Sequence, residues 1–376
     1  MRPEPIVATV AVRTHPPRSS AARPSGPNGT ARSNVCPAGK NVFREFDSAG
    51  NSILLERNHS AASGAGSSEI MGRIKFLRQM FFDGRGPPVP SPARPDPGRW
   101  TDDAITGSCL GHATVLLNFL GVTVLTDPAF STRVGPGIAP FILGPRRFIR
   151  PALLPREFPA PDVIVLSHAH FDHFDLGSLR KFPRTTPVIT ARATGDLLRK
   201  LRFREIHELD WGQSVTLTPR GKSLRITALE VSHWGARMMR DEHRGYNGYL
   251  LERDGRTVCF AGDTAYTPLF KRLRNPRRPL DLMLMPIGAY DPWIRAHCSP
   301  EQAVAMAAQA HASYFVPIHH QTFKLSSEPM EEPATRLRAA LANEPHRLLA
   351  VGTGETFRVP LEGPSAPWRL VRRVAG

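Results

Sequence analysis

Residues 163–173, VIVLSHAHFDH, set an apolar run directly before three histidines and an aspartate. Val163, Ile164, Val165 and Leu166 form a short, uniformly apolar run, which predicts a buried strand. Ligand sites in open α/β sheets lie at the carboxyl ends of strands, where the motif begins. His168 and His170 are two residues apart, so an extended segment points both the same way. Asp172 and His173 follow as the chain turns. Imidazoles with a carboxylate suit Zn²⁺, and also Fe or Mn. Four ligand-type residues within 168–173 exceed what one loop gives a single tetrahedral site. Two metals are therefore expected, each completed from elsewhere in the chain.

Working outward, other polar residues end other apolar runs. His233 follows ITALEVS, Asp263 follows VCFAG, and His319 and His320 follow YFVPI. His320 reads as a neighbour in the wall. Two runs, ATVLLNF and VTVLTD, flank Gly121 as a hairpin would. Further strands are expected at 162–166, 187–190, 214–217, 223–229, 247–252, 257–261, 282–286, 314–317, 348–350 and 355–359. Helices are expected at 176–182, 193–201, 300–310 and 333–343. Strands and helices interleave, so residues 98–376 read as one α/β domain.

These stretches resemble the metallo-β-lactamase superfamily. LGHATVLL (110–117), LTDPAFS (125–131), LSHAHFDHFD (166–175), SHWGAR (232–237), FAGDTAYTP (260–268) and PIHHQTF (317–323) carry the likeness. Within the superfamily they are most similar to the branch of N-acyl-phosphatidylethanolamine-hydrolysing phospholipase D and ascorbate-phosphate lactonase-like proteins. The resemblance implies the αββα four-layer sandwich. It implies two Zn²⁺: His168, His170 and His233 on one, Asp172, His173 and His319 on the other, and Asp263 bridging both. Two such cations hold a bridging hydroxide near neutral pH, which attacks phosphorus or a carbonyl carbon. The implied activity is a phosphodiesterase of the phospholipase D type, on a phospholipid or other phosphodiester. The alternative is a cytosolic lactonase or phosphodiesterase on a small phosphorylated or nucleotide substrate. PIHHQTF has His320-Gln321 where that branch commonly has Trp-Gly.

Three residues beside the ligands are expected to act in catalysis: Asp172 itself, His112 and His297. His112, in GHAT, reads as orienting a ligand or contacting substrate, or as a satisfied core histidine. His297 precedes a helix start with Ser299 as N-cap and Pro300 at the first position. By the resemblance it lies near the reaction centre, to bind a phosphoryl oxygen or protonate the leaving group. Asp127 reads as a turn-former and supporting acid. Arg146, Arg147 and Arg150 read as greeting an anionic head group, or as a solvated basic loop. Trp234 and Tyr266 read either as pocket walls or as packing residues.

The remaining chain sets the context. Residues 1–40 carry seven prolines, six Arg or Lys, and the single acid Glu4. Such a segment cannot bury enough apolar surface to offset its chain entropy, so 1–68 reads as a disordered basic tail. In 69–97, a basic amphipathic helix at 69–82 and a stiff Pro-rich linker are expected. That helix is a candidate peripheral membrane contact or, alternatively, a helix docked on the catalytic domain. The net charge of +16 favours anionic partners. No basic–aromatic stacking platform is evident, so nucleic acid is not the expected partner. Four widely spaced cysteines argue against a disulfide framework and for a reducing compartment. The expected location is the cytoplasm, with contact at the inner membrane face. No Gly-x-Ser-x-Gly elbow supports a serine hydrolase.

Overall fold

The computed structural model describes residues 9–11, 43–46, 52–55, 87–138, 141–238, 241–275, 280–364 and 368–370. Its strands are β1 (Thr9–Ala11), β2 (Phe43–Phe46), β3 (Ser52–Leu55), β4 (Ile105–Gly111), β5 (Thr114–Phe119), β6 (Val122–Thr126), β7 (Gly137–Ile138), β8 (Phe141–Ile142), β9 (Val163–Val165), β10 (Val188–Ala191), β11 (Ile206–Leu209), β12 (Ser214–Leu217), β13 (Leu224–Leu229), β14 (Gly248–Arg253), β15 (Arg256–Phe260), β16 (Leu280–Pro286), β17 (Ala312–Ile318) and β18 (Thr356–Val359). The helices are α1 (Leu176–Leu179), α2 (Gly195–Lys200), α3 (Pro300–Gln309) and α4 (Glu332–Ala340).

Two sheets form, ordered β1-β12-β13-β14-β15-β16-β17 and β11-β10-β9-β6-β5-β4-β18. Alternation along each strand decides which layer its side chains join. Val258, Phe260, Leu282 and Leu284 face inward and meet Val115, Leu117, Val163 and Val165 of the second sheet in one core. Their neighbours Cys259, Met283 and Met285 face outward against Ala303, Val304 and Ala307 of α3 and Leu337 of α4. On the other side, Leu116, Leu125, Ile164 and Val188 pack against Leu179 of α1 and Leu197 and Leu198 of α2. The order is thus helix, sheet, sheet, helix, the αββα sandwich implied by the resemblance. Each sheet is part parallel. β6, β9, β10 and β11 run parallel, as do β15, β16 and β17. Ligand-bearing loops therefore leave the carboxyl ends of β9, β15 and β17.

Most expected elements are present within a residue or two. Residues 348–350 are not a strand; Leu348 makes only an isolated parallel bridge to Phe315. They follow a 3₁₀ turn, Pro345–Arg347, and their apolar character reflects packing beside β17. β4 and β11 went unread, because Gly107 and Ser108 in one and His207 and Glu208 in the other dilute the apolar signal. β4 is nevertheless buried throughout, between β5 and β18.

The Pro-rich stretch is anchored rather than free. Val89 pairs with Ile149, and Ser91 Oγ donates to the Thr353 carbonyl at 2.9 Å. Within the expected tail, three strands are described. β1 pairs antiparallel with β12, and β2 with β3 as a separate hairpin. The expected helix at 69–82 lies outside the described residues. Among the described residues no helix is long and apolar enough to cross a membrane.

Candidate metal centre

β9 ends at Val165, and Ser167 then turns the chain into the motif. The Ser167 amide donates to Asp127 Oδ1 at 2.7 Å, and its hydroxyl to Asp127 Oδ2 at 2.5 Å. With its proton so used, Ser167 Oγ accepts from His168 Nδ1 at 2.8 Å. His173 Nδ1 donates to Asp127 Oδ2 at 2.6 Å, and His233 Nδ1 to the Ala296 carbonyl at 2.8 Å. Three imidazoles thus have Nδ1–H committed to an oxygen, which leaves each Nε2 lone pair for the centre. Asp127, the expected turn-former, sits buried beneath the motif and fixes both His173 and Ser167.

Backbone geometry holds Asp263 against this loop. Gly262 has φ +60°, and a Cβ there would lie 2.7 Å from Ser167 Cβ and 2.9 Å from the Asn247 carbonyl. Glycine is what lets β15 turn so close to the motif. Opposite, His112 and His319 both adopt left-handed φ, 59° and 61°, and the His319 amide donates to the His112 carbonyl at 3.0 Å. Such conformations at non-glycine residues persist where surrounding contacts over-determine them.

The expected ligand residues converge. His170 Nδ1 lies 2.8 Å from His168 Nε2 and 3.3 Å from His233 Nε2. Asp172 Oδ2 lies 3.6 Å from His173 Nε2 and 3.5 Å from His319 Nε2. Asp263 Oδ2 stands between the two sets. It is 3.1 Å from His173 Nε2, 3.0 Å from His319 Nε2, 3.8 Å from His233 Nε2 and 4.0 Å from His168 Nε2. His173 Nε2, His319 Nε2 and Asp263 Oδ1 are buried with no hydrogen-bond partner. Buried polar atoms rarely stay unpaired, so this cluster fits cations. Two ligands on a tetrahedral zinc stand about 3.3 Å apart, given bonds of about 2.0–2.1 Å.

The electrostatics separate the two sets. Burial, with neighbouring histidines adding to it, pushes His168 well below its usual range and His170 down to about 3. Burial also opposes charge on His173 and His319, but Asp263 and Asp172 outweigh it. They hold His173 well above its usual range and His319 at about 9. Despite burial, those two imidazoles keep Asp263 well below the usual carboxylate range. A cation at this place would take over the protons' role.

His297 and His112 occupy different positions. His297 Nδ1 is 3.8 Å from Asp263 Oδ2, its ring stacks on His319, and it lines the pocket above the cluster. His112 is buried and its Nε2 donates to Asp172 Oδ2 at 2.9 Å, so it orients Asp172 from behind. Thr322 supports it, its Oγ1 accepting from the His112 amide at 2.6 Å; Thr322 carried no signal in the sequence. The pocket has a volume of about 410 Å³, with Leu143, Phe171, Trp234, Trp293 and Leu325 among its walls. Trp234 is thus a wall residue, its ring 4.6 Å from that of His170. Tyr266 instead accepts from Gln309. Arg147 does not greet a head group. It is buried, donates to the Ala129 and Ser131 carbonyls, and lies over Phe323. Arg150 donates to the Pro88 carbonyl.

A family model described as a beta-lactamase superfamily domain matches residues 122–320. A Mycobacterium tuberculosis protein described as uncharacterized is 32% identical over 297 residues, 76% of each chain. N-acyl-phosphatidylethanolamine-hydrolyzing phospholipase D 1 of Caenorhabditis elegans is 30% identical, covering 63% of this chain and 70% of that one. The crystal structure of isothiocyanate hydrolase from Delia radicum gut bacteria has the same fold. It superposes with a TM-score of 0.52 at 18% identity, over 70% of this chain and 100% of that one. With the sandwich and the histidine–aspartate cluster already in place, these matches make the chain a member of the beta-lactamase superfamily, with the fold of a metal-dependent hydrolase.

Proposed function

We propose that this protein is a binuclear zinc phosphodiesterase of the phospholipase D type, acting on phospholipids. The observation that carries the reading is Asp263 Oδ2, within 4.0 Å of imidazole nitrogens from both ligand sets. One carboxylate so placed serves two ions. His168, His170 and His233 would hold one ion, Asp172, His173 and His319 the other, and Asp263 both. Imidazole and carboxylate donors suit zinc. Bound zinc supplies an activated water near neutral pH and positive charge against the charge developing on phosphoryl oxygens.

The chain's own groups do the rest. His297 borders the pocket and, buried, is held well below its usual range, so it is neutral near pH 7. From there it donates a hydrogen bond to a phosphoryl oxygen or the leaving group. His112 keeps Asp172 oriented. Apolar pocket walls exclude water and suit acyl chains.

The phospholipid reading draws support from the rim and from a relative. Phe141, Leu143, Trp234, Met238, Trp293 and Ile294 stay exposed, and four of them line the pocket or the cavity beside it. Apolar residues concentrated about a pocket mouth fit a lipid interface better than open water. The C. elegans relative is named for hydrolysing N-acyl-phosphatidylethanolamine.

The test is elemental analysis of purified protein, with hydrolysis of bis-p-nitrophenyl phosphate and of N-acyl-phosphatidylethanolamine in vesicles. Wild type should hold about two zinc per chain and cleave both; Asp263→Ala should lose zinc and activity together. Two metals without phosphodiester turnover would transfer the reading to a lactonase. A chain that binds no metal would end it.

A further inference from the structure

A second cavity of about 430 Å³ adjoins the metal pocket. The two share Val134, Gly135, Pro136, Phe171 and Arg237 as common wall, so they are neighbouring lobes of one groove. Their chemistry differs. The metal lobe is walled by large apolar side chains, whereas the second lobe gathers Arg133, Arg180 and Arg237 around a single acid, Asp175.

Asp175 is one carboxylate against three arginines, and its charge favours the Arg237 cation. Its Oδ1 accepts from the Gly177 amide at 2.9 Å, and its Oδ2 from the Ser131 amide at 3.1 Å and the Ser178 hydroxyl. It is a helix cap whose oxygens are occupied. Arg237 is held in place by Nη1, which donates to the Ala169 and Phe174 carbonyls, with its guanidinium 4.0 Å over the Phe171 ring. Arg133 Nη1 donates to the Gly144 carbonyl at 2.7 Å. Arg180 is exposed at the lobe's edge. Among the described residues, none of the three forms an ion pair with a carboxylate. Carbonyl bonds orient a guanidinium without supplying countercharge, so three arginines and one acid leave the lobe net positive, and the remaining N–H groups suit an anion.

We propose that this second lobe is a subsite for a second anionic group of the substrate, a phosphate or carboxylate on the alcohol portion of the phosphodiester. Arg133, Arg180 and Arg237 would recognise it while the scissile phosphate sits over the ligand cluster. The proposal rests on the phosphodiesterase reading and adds to it a preference for substrates with a second, separated negative charge. An amphiphile with an apolar tail and a doubly charged head group meets both lobes.

The test uses p-nitrophenyl phosphodiesters of short and long alkyl chains, each ending in a hydroxyl, a phosphate or a carboxylate. With zinc-loaded full-length protein at low salt, at least one charged compound should show a KM about fivefold below its hydroxyl counterpart. That ratio should shrink as salt is raised. It should collapse toward one in Arg180→Ala and in Arg133→Ala, both cut back at the lobe's edge. It should persist in Arg272→Ala, whose arginine pairs with Glu230 and lines a separate cavity. Comparing terminal phosphate with carboxylate identifies the anion preferred. Equal KM values in wild type overturn the subsite and leave the phosphodiesterase reading intact, as does a preference that survives both substitutions. Turnover of no compound by zinc-loaded wild type overturns that reading, and the subsite with it.

Discussion

Asp127 is buried beneath the motif and lies outside the two proposed ligand sets, yet replacing it should cost most of the hold on one metal of the proposed centre. Both side chains in the Asp127–His173 pair are 0% exposed, with 2.6 Å between Oδ2 and Nδ1. Asp127→Asn keeps the shape and one oxygen for the Ser167 amide. At the other position an amide replaces the acceptor that His173 Nδ1–H needs. The imidazole then loses its committed tautomer, and a proton on Nε2 blocks the lone pair facing Asp263. A hydrogen bond to a charged buried group contributes about 1.5–3 kcal/mol. Supporting partners of metal-bound histidines typically govern about 10–100-fold in affinity. That range converts to about 1.4–2.7 kcal/mol, so the two estimates agree. The assay is zinc competition against a chromophoric chelator, with phosphodiester turnover followed as zinc is added. Asp127→Asn should bind its weaker zinc about 10–100-fold less tightly, and excess zinc should restore part of the activity. A purely structural role would lower thermal stability without this zinc-dependent recovery. Wild-type zinc affinity in Asp127→Asn would refute the reasoning.

Other outcomes test the scaffold around the site. Gly262→Ala places a Cβ 2.7 Å from Ser167 Cβ at φ +60°. It should lower both zinc content and melting temperature, read by elemental analysis and calorimetry. Leu284 is fully buried between the sheets, so Leu284→Ala should destabilise by about 2–5 kcal/mol in urea unfolding. Burial works against the Glu301 carboxylate, but hydrogen bonds from Arg336 and Ser299 win and hold its pKa below 4.5. A depressed folded pKa gives stability that is present above 4.5 and lost as pH falls through the folded value. The melting temperature should therefore drop on acidification below that pH. Glu301→Gln should flatten this part of the profile, measured by thermal melts across pH.

Much of the architecture was legible because its signals are local. VIVL, VCF and YFVPI are uniform apolar runs, and such runs become buried strands whatever lies beside them. SHAHFDH concentrates its donors in a few residues, and His233, Asp263 and His319 each end a strand. Their convergence at one edge of the sandwich follows from strands ending at that edge. By contrast, β4 contains Gly107 and Ser108, and its burial depends on β5 and β18 closing over it. The reverse holds for 348–350, apolar because it packs beside β17 rather than because it pairs.

The sequence by itself determined the class of chemistry. Donor types and spacing are covalent facts, and the α/β class follows from strand and helix patterns that short segments encode; the αββα layering was implied by the family resemblance. The tertiary structure alone decided how those groups divide their work. Asp127, forty residues before Ser167 in the chain, becomes the support of the motif only when β6 lies beside β9. Arg147 carries the same charge as Arg180. One is buried and bound to carbonyls, and the other is exposed at the edge of a cavity. Burial, hydrogen-bond direction and the distance between charges depend on which surfaces meet, and no single segment holds that information.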